Sequence, residues 1–300
     1  MQPTVRRYRL LRGLVRAVSV AVPGRRKAVV ERLLRAAFGD IVEASGHLLE
    51  VDPADRLLGA RLRRRGVWSK AETKLYERCL RPGNVVVDCG AHVGYFTLIF
   101  ARSVGPTGQV LAFEPEPRSF RLLERNVRRN GYDNVATIQE ALSRDRGQAP
   151  LSVATGNLGD HRLGRRLAGR ETITVRTTTL DAHLARSARP PDFLKLDVQG
   201  SEAAVLDGAR EILSSSPRMA MLTEFWPAAI REAGDDPELF LEQLVASGFS
   251  IAVLAGSGRL SAVATAADRS RLCDDATDLN LFCWKGRSPL EPQTAGRMVD

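Results

Sequence analysis

Nowhere does the sequence hold the ~18 consecutive uncharged apolar residues that a membrane-spanning helix needs, so none is expected. Cysteine is scarce. Cys79, Cys89, Cys273 and Cys283 are the four present and none forms a CxxC pair, which excludes a disulfide scaffold and a zinc knuckle. They read as buried thiols of a reducing, cytoplasmic compartment. The four histidines, His47, His92, His161 and His183, share no ligand spacing, so no zinc site is expected. Internal repeats and low-complexity segments are also missing. What is there is the ordinary make-up of a globular chain, 44 % hydrophobic and 26 % charged over 300 residues. That length suits one large α/β domain or two small ones.

A formal net charge of +9 points toward nucleic acid until its position is examined. Residues 1–40 hold ten Lys and Arg against two Asp and Glu, whereas residues 41–300 hold 34 against 33. The excess is confined to an N-terminal arm, and a basic groove across the body is not supported. In the arm, Leu10, Leu14 and Val18 recur at helical spacing among Arg6, Arg9, Arg12 and Arg16, which predicts a basic amphipathic helix. Pro23-Gly24 breaks it, and Val29, Leu33, Leu34 and Phe38 continue a second helix. The apolar stretch at 17–22 is too short for a secretory signal. The simplest reading is a solvated helical cap on the domain, with RNA or peripheral membrane contact as alternatives.

The body opens with a short strand, HLLEV, and two helices, DRLLGARLRRRG and KAETKLYERCLR. An alternation then decides the fold. NVVVDCG, QVLAFEP and NVATIQEAL are strands separated by the helices YFTLIFARSVG and SFRLLERNVRRNG, the second with Gly131 as its C-cap signal. After an inserted β-hairpin, APLSVAT with ETITVRTTTL, come the helix LDAHLARS, the strand DFLKLD and the helix SEAAVLDGAREILSSS. The strand MAMLTEF, the helix DPELFLEQLVASG and the strands FSIAVLA and DLNLFCWK complete the pattern. Strands alternating with helices imply a doubly wound, mostly parallel sheet of seven strands with right-handed crossovers. The expected organisation is a helical extension at 1–45, one domain at 46–286 and a tail at 287–300.

The strongest chemical signal is VVVDCGAHVGYF at 85–96, in which a buried strand ends at Asp88 and Gly90 and Gly94 let the backbone turn close to a ligand. Its D-x-G-x-x-x-G spacing differs from the G-x-G-x-x-G of dinucleotide-binding domains, and an acid beside the loop would repel a pyrophosphate. Asp88 suits a cationic ligand, which favours a sulfonium amino acid over NAD. Twenty residues after Gly94, Glu114 ends the second strand, where a carboxylate can accept hydrogen bonds from both hydroxyls of a ribose. Asp88, Glu114, Glu140, Asp197 and Glu224 all fall at or beside C-terminal strand ends, the edge where open α/β sheets collect ligands.

Together these segments resemble Class I S-adenosylmethionine-dependent methyltransferases, and more narrowly the FkbM family. The resemblance runs over residues 46–285 and is carried by VDCGAHVGYFT, FEPEP, the NV-x5-EALS segment, TLD at 179–181 and FLKLDVQGSEAAVLDGA at 193–209. In DVQGSE, Gln199 stands where the family pattern D-[VI]-E-G-x-E has Glu. The resemblance implies a Rossmann-like fold and S-adenosylmethionine as cofactor. By the same resemblance Gly90, Ala91 and Gly94, with Asp88, line the methionine part, and Glu114 with Pro115 holds the ribose. Glu140 and Ala141 would border the adenine, and Asp197 and Gln199 would lie beneath the reactive methyl group.

Transfer to a hydroxyl profits from a general base. The candidates are His161, in the inserted hairpin that would cover the site, and the acids Asp197, Glu202 and Glu224, the last beside Trp226. No D-D-N set of Mg²⁺ ligands stands at the strand ends, and no metal is expected. The leading expectation is O-methylation of a small-molecule hydroxyl acceptor, a natural product or sugar. Alternatives are an RNA or protein methyltransferase that uses the basic arm, a non-catalytic S-adenosylmethionine-binding partner protein, and, disfavoured by the loop spacing, a nicotinamide dehydrogenase.

Overall fold

The computed structural model describes residues 40–185, 189–274 and 278–290; the helices expected within residues 1–39 lie outside them. The described chain opens with a hairpin, β1 (Ile41–Ala44) paired antiparallel with β2 (His47–Glu50). The expected boundary at residue 45 thus falls in the hairpin turn, and β1 stands with the body. Two helices follow, α1 (Leu58–Arg65) and α2 (Lys70–Cys79), the second capped by Ser69, whose hydroxyl accepts the Glu72 N–H.

The central sheet is built from β3 (Val85–Cys89), α3 (Tyr95–Val104), β4 (Gln109–Phe113), α4 (Pro117–Asn130) and β5 (Val135–Ile138). The chain then leaves this sheet. β6 (Ala141–Leu142), β7 (Gly147–Val153), β8 (Arg162–Leu163) and β9 (Glu171–Thr178) form a second sheet in the order β6-β9-β7-β8. The expected hairpin is present as the antiparallel pair β7–β9. β6 and β8 are two-residue strands, too short to show a period. Helix α5 (Leu180–Leu184) leads back to β10 (Phe193–Leu196).

The remaining elements are α6 (Glu202–Asp207), α7 (Arg210–Ser215), β11 (Met219–Phe225), α8 (Pro227–Glu232), α9 (Pro237–Ala246), β12 (Ser250–Leu254), β13 (Leu260–Ala262), α10 (Ala266–Asp274) and β14 (Leu279–Lys285). The sheet order is β13-β12-β14-β11-β10-β3-β4-β5, so it has eight strands rather than the expected seven. The extra strand is β13, which pairs with the edge of β12 over three residues. Neighbours run parallel from β11 to β5, and β14 enters antiparallel between β11 and β12. The single helix expected over 201–216 is two, broken at Gly208, where a Cβ would stand 2.1 Å from the Ser143 carbonyl oxygen.

Apolar clusters cover both faces of the sheet. On one, the fully buried Tyr76 ring meets Phe96, Phe100 and Phe193 edge-on at 4.7–5.5 Å. The chain runs outward from β3 through β4 to β5 and resumes on β3's other side at β10. The carboxyl ends of β3 and β10 therefore bound a topological switch point, where α/β sheets bind ligands.

Candidate active site

A cavity of about 550 Å³ opens at this switch point, in the range of small-molecule sites. The sheet edge supplies its floor, α1 and α2 one wall, and the 154–161 loop between β7 and β8 its cover. The cover is fastened to the N-terminal segment by the Arg56 N–H, which donates to the Gly156 carbonyl at 2.8 Å.

Gly90 begins the loop after β3 with φ +76°, and a Cβ there would lie 2.0 Å from the Asp197 carbonyl oxygen. The backbones after β3 and β10 approach so closely that only glycine fits. Beyond the loop, Glu114 leaves β4 with its carboxylate buried. Its Oε2 accepts the His92 N–H at 2.8 Å and its Oε1 the Glu116 N–H at 2.9 Å. Burial pushes its carboxyl up to about 7 against the pull of these two bonds. Each oxygen keeps a lone pair for a ligand hydroxyl.

Asp88 is fully buried and does not line the cavity, which corrects the expectation that it faces a cationic ligand. Thr97 Oγ1 donates to its Oδ2 at 2.6 Å, and Lys195 Nζ stands 3.1 Å from its Oδ1. The charge that Asp88 balances belongs to the protein. Lys195 projects from the middle of β10, is 3 % exposed, and donates to the Gly90 carbonyl at 3.0 Å. Burial works against its charge, but Asp88 and then Asp197 outweigh burial and raise its pKa. The lysine ties β3, β10 and the glycine loop together. Gly94 is likewise absent from the cavity lining; it caps α3, packed against Leu123.

At the ends of β10 and β11, the Gln199 amide holds two carboxylates. Its Nε2 donates to Asp197 Oδ1 and to Glu224 Oε2, both at 2.8 Å, and the residue sits in the left-handed region at φ +56°. Glutamine at this position thus bridges two acids that a glutamate would repel. Burial, with Asp197, Glu202 and Asp278 nearby, raises the Glu224 carboxyl well above the usual range. Glu202 is engaged by the backbone. Fully buried and outside the cavity, it accepts the Val198 and Gly200 N–H groups at 2.9 Å and holds the 198–200 turn in place.

His161 reaches the cavity from its cover, with one ring nitrogen already engaged. The Ala154 N–H donates to its Nδ1 at 3.0 Å, so the neutral ring carries its proton on Nε2. Burial lowers its pKa to about 4. It is a hydrogen-bond donor. Its Nε2, His92 Nε2 and Asp55 Oδ2 are buried without hydrogen-bond partners among the described residues.

The cavity thus brings together Gly90, Ala91, Glu114, Pro115, Glu140, Ala141, His161, Asp197, Gln199 and Glu224, and leaves out Asp88 and Gly94. Lys195, Asp55 and Glu72, none of them a candidate from the sequence, also line the cavity. A lysine inside the apolar strand FLKLD was the one visible signal among them, because a charge in a buried strand needs a partner. No group of three or more His, Cys, Asp and Glu among the described residues is arranged to hold a metal ion. No described helix is long and apolar enough to cross a membrane, and all four cysteines are free and buried.

An adenosyl sulfonium amino acid fits these residues. Glu114 offers the ribose two acceptor oxygens, Phe113, Ala141 and Leu142 offer apolar surface beside it, and the lining holds eight acidic residues against two basic ones, which suits a cation. Comparison with known proteins agrees. The Methyltransferase FkbM domain model matches residues 88–246, just over half of the chain. The chain is similar to methyltransferase sdnD of Sordaria araneosa, 29 % identical over an alignment of 188 positions that covers 52 % of this chain and 72 % of that protein. It is also similar to methyltransferase 1 of Beauveria bassiana, at 26 % over 41 % of this chain and 57 % of that protein. Among solved structures it resembles methyltransferase FkbM from Methylobacillus flagellatus, at 16 % identity and a TM-score of 0.43, covering 70 % of this chain and half of that one. This chain belongs to the FkbM family of S-adenosylmethionine-dependent methyltransferases.

Proposed function

We propose that the protein methylates a hydroxyl group on a small molecule, with Glu224 as the general base. The observation that carries this reading is the half-buried Glu224 carboxylate, held by Gln199 at 2.8 Å inside a covered cavity. S-adenosylmethionine supplies an electrophilic methyl group whose leaving thioether is neutral. The protein's task is then to align the acceptor, exclude water and accept one proton. Burial raises the Glu224 carboxyl and so strengthens it as a proton acceptor. Gln199 spends both amide hydrogens on Asp197 and Glu224, which fixes the Glu224 carboxylate and leaves its other oxygen for the acceptor. Trp226, with Arg162 stacked 4.5 Å from its ring centroid, forms an apolar wall beside it. The cover over the cavity favours a small acceptor over a polymer.

The test is a screen of hydroxylated small molecules for gain of one methyl group, repeated with Glu224→Gln. The expected result is a loss of about 10²–10⁴-fold in kcat, with S-adenosylhomocysteine binding retained. An active Glu224→Gln enzyme with an unchanged pH profile overturns the assignment of the base.

A further inference from the structure

We infer that Arg61 binds the α-carboxylate of the cofactor's amino-acid end. Of the two basic residues lining the cavity, Lys195 is consumed by Asp88 and by the Gly90 carbonyl, which leaves Arg61. No carboxylate oxygen among the described residues lies within 4 Å of its guanidinium, although the cavity is rich in acids. Its Nε is buried and has no hydrogen-bond partner among the described residues. Glu72, the acid whose titration senses Arg61, makes no ion pair with it, and burial raises the Glu72 carboxyl. A guanidinium kept unpaired in such a place awaits an anion, and its planar fork matches a carboxylate.

The placement agrees with the chemistry. The Arg61 guanidinium lies 4.6 Å from the Trp68 ring centroid. The Trp68 N–H donates to Tyr95 Oη at 3.1 Å, and Tyr95 is the first residue of α3, directly after the glycine loop. Trp68 and Arg61 thus line the same cavity as residues 90–93, with Glu114 marking the ribose. The carboxylate is the cofactor's only anionic group, and Glu72, Asp197 and Glu224 make the rest of that wall unsuitable for it.

The inference rests on the cofactor assignment and is tested by binding alone. Titration calorimetry would compare S-adenosylhomocysteine with 5′-methylthioadenosine, which lacks the amino-acid end, on wild type, Arg61→Ala and Arg61→Lys. Arg61→Ala is expected to weaken S-adenosylhomocysteine by roughly tenfold to a hundredfold and to leave methylthioadenosine unchanged, with Arg61→Lys between. Unchanged S-adenosylhomocysteine affinity in Arg61→Ala overturns the inference and assigns the arginine to an anionic acceptor instead. Equal loss of both ligands also overturns it, since the arginine would then only support Trp68. If wild type bound neither ligand, the cofactor assignment itself would fall.

Discussion

Replacing Lys195 by methionine is expected to destabilise the protein more than replacing its partner Asp88 by asparagine. Both side chains are buried, at 3 % and 0 % exposure. Lys195→Met strands the Asp88 carboxylate with only the Thr97 hydroxyl at 2.6 Å. Removing one member of a buried pair in this way costs about 3–5 kcal/mol, a large part of the roughly 5–15 kcal/mol that holds a domain folded. Asp88→Asn leaves Lys195 with the Gly90 carbonyl at 3.0 Å and the half-exposed Asp197 at 3.6 Å. Its loss should be nearer 1–3 kcal/mol, about the cost of one charge-assisted hydrogen bond. The double variant Asp88→Asn/Lys195→Met removes both charges and should be more stable than Lys195→Met alone. Urea unfolding of wild type, the two single variants and the double variant measures this coupling. A Lys195→Met cost under about 1 kcal/mol, or single losses that simply add, would refute the view that this pair holds β3, β10 and the glycine loop together.

Two further outcomes are expected. Burial pushes the Glu114 carboxyl up to about 7, and ribose hydroxyls would donate to its ionised form. S-adenosylhomocysteine affinity should therefore fall as pH drops below 7, toward about tenfold per unit, and level off above; calorimetry on Glu114→Gln should show weaker binding without that slope, and a persisting slope would exclude Glu114 as its source. Deleting residues 1–39 should leave cofactor binding and small-molecule turnover intact, measured by calorimetry and methyl-transfer assay; loss of a salt-dependent affinity for RNA in the deleted protein would favour the polymer reading instead.

The parallel half of the sheet was legible because its strands are buried on both faces and read as apolar runs closed by Gly or an acid, as in VVVDCG and LAFEP. The carboxylates at the strand ends were legible for the same reason, since each follows such a run. Side-chain direction at those ends was not. Asp88 and Glu114 look alike in sequence, but Asp88 lies within β3, one residue before its end, where it faces Lys195 on the adjacent β10, and Glu114 lies just past β4 and reaches the cavity. The switch between sheets at 139–140 was hidden because NVATIQEAL keeps a strand-like pattern across it. The tautomer of His161 depends on the Ala154 N–H, a contact that no residue pattern encodes.

The central claim is a cofactor site at the switch point between β3 and β10, and isothermal titration of the purified protein with S-adenosylmethionine, S-adenosylhomocysteine and NAD tests it most directly. The account predicts saturable one-to-one binding of the first two and none of NAD. Binding of NAD, or of neither adenosyl ligand, would contradict it.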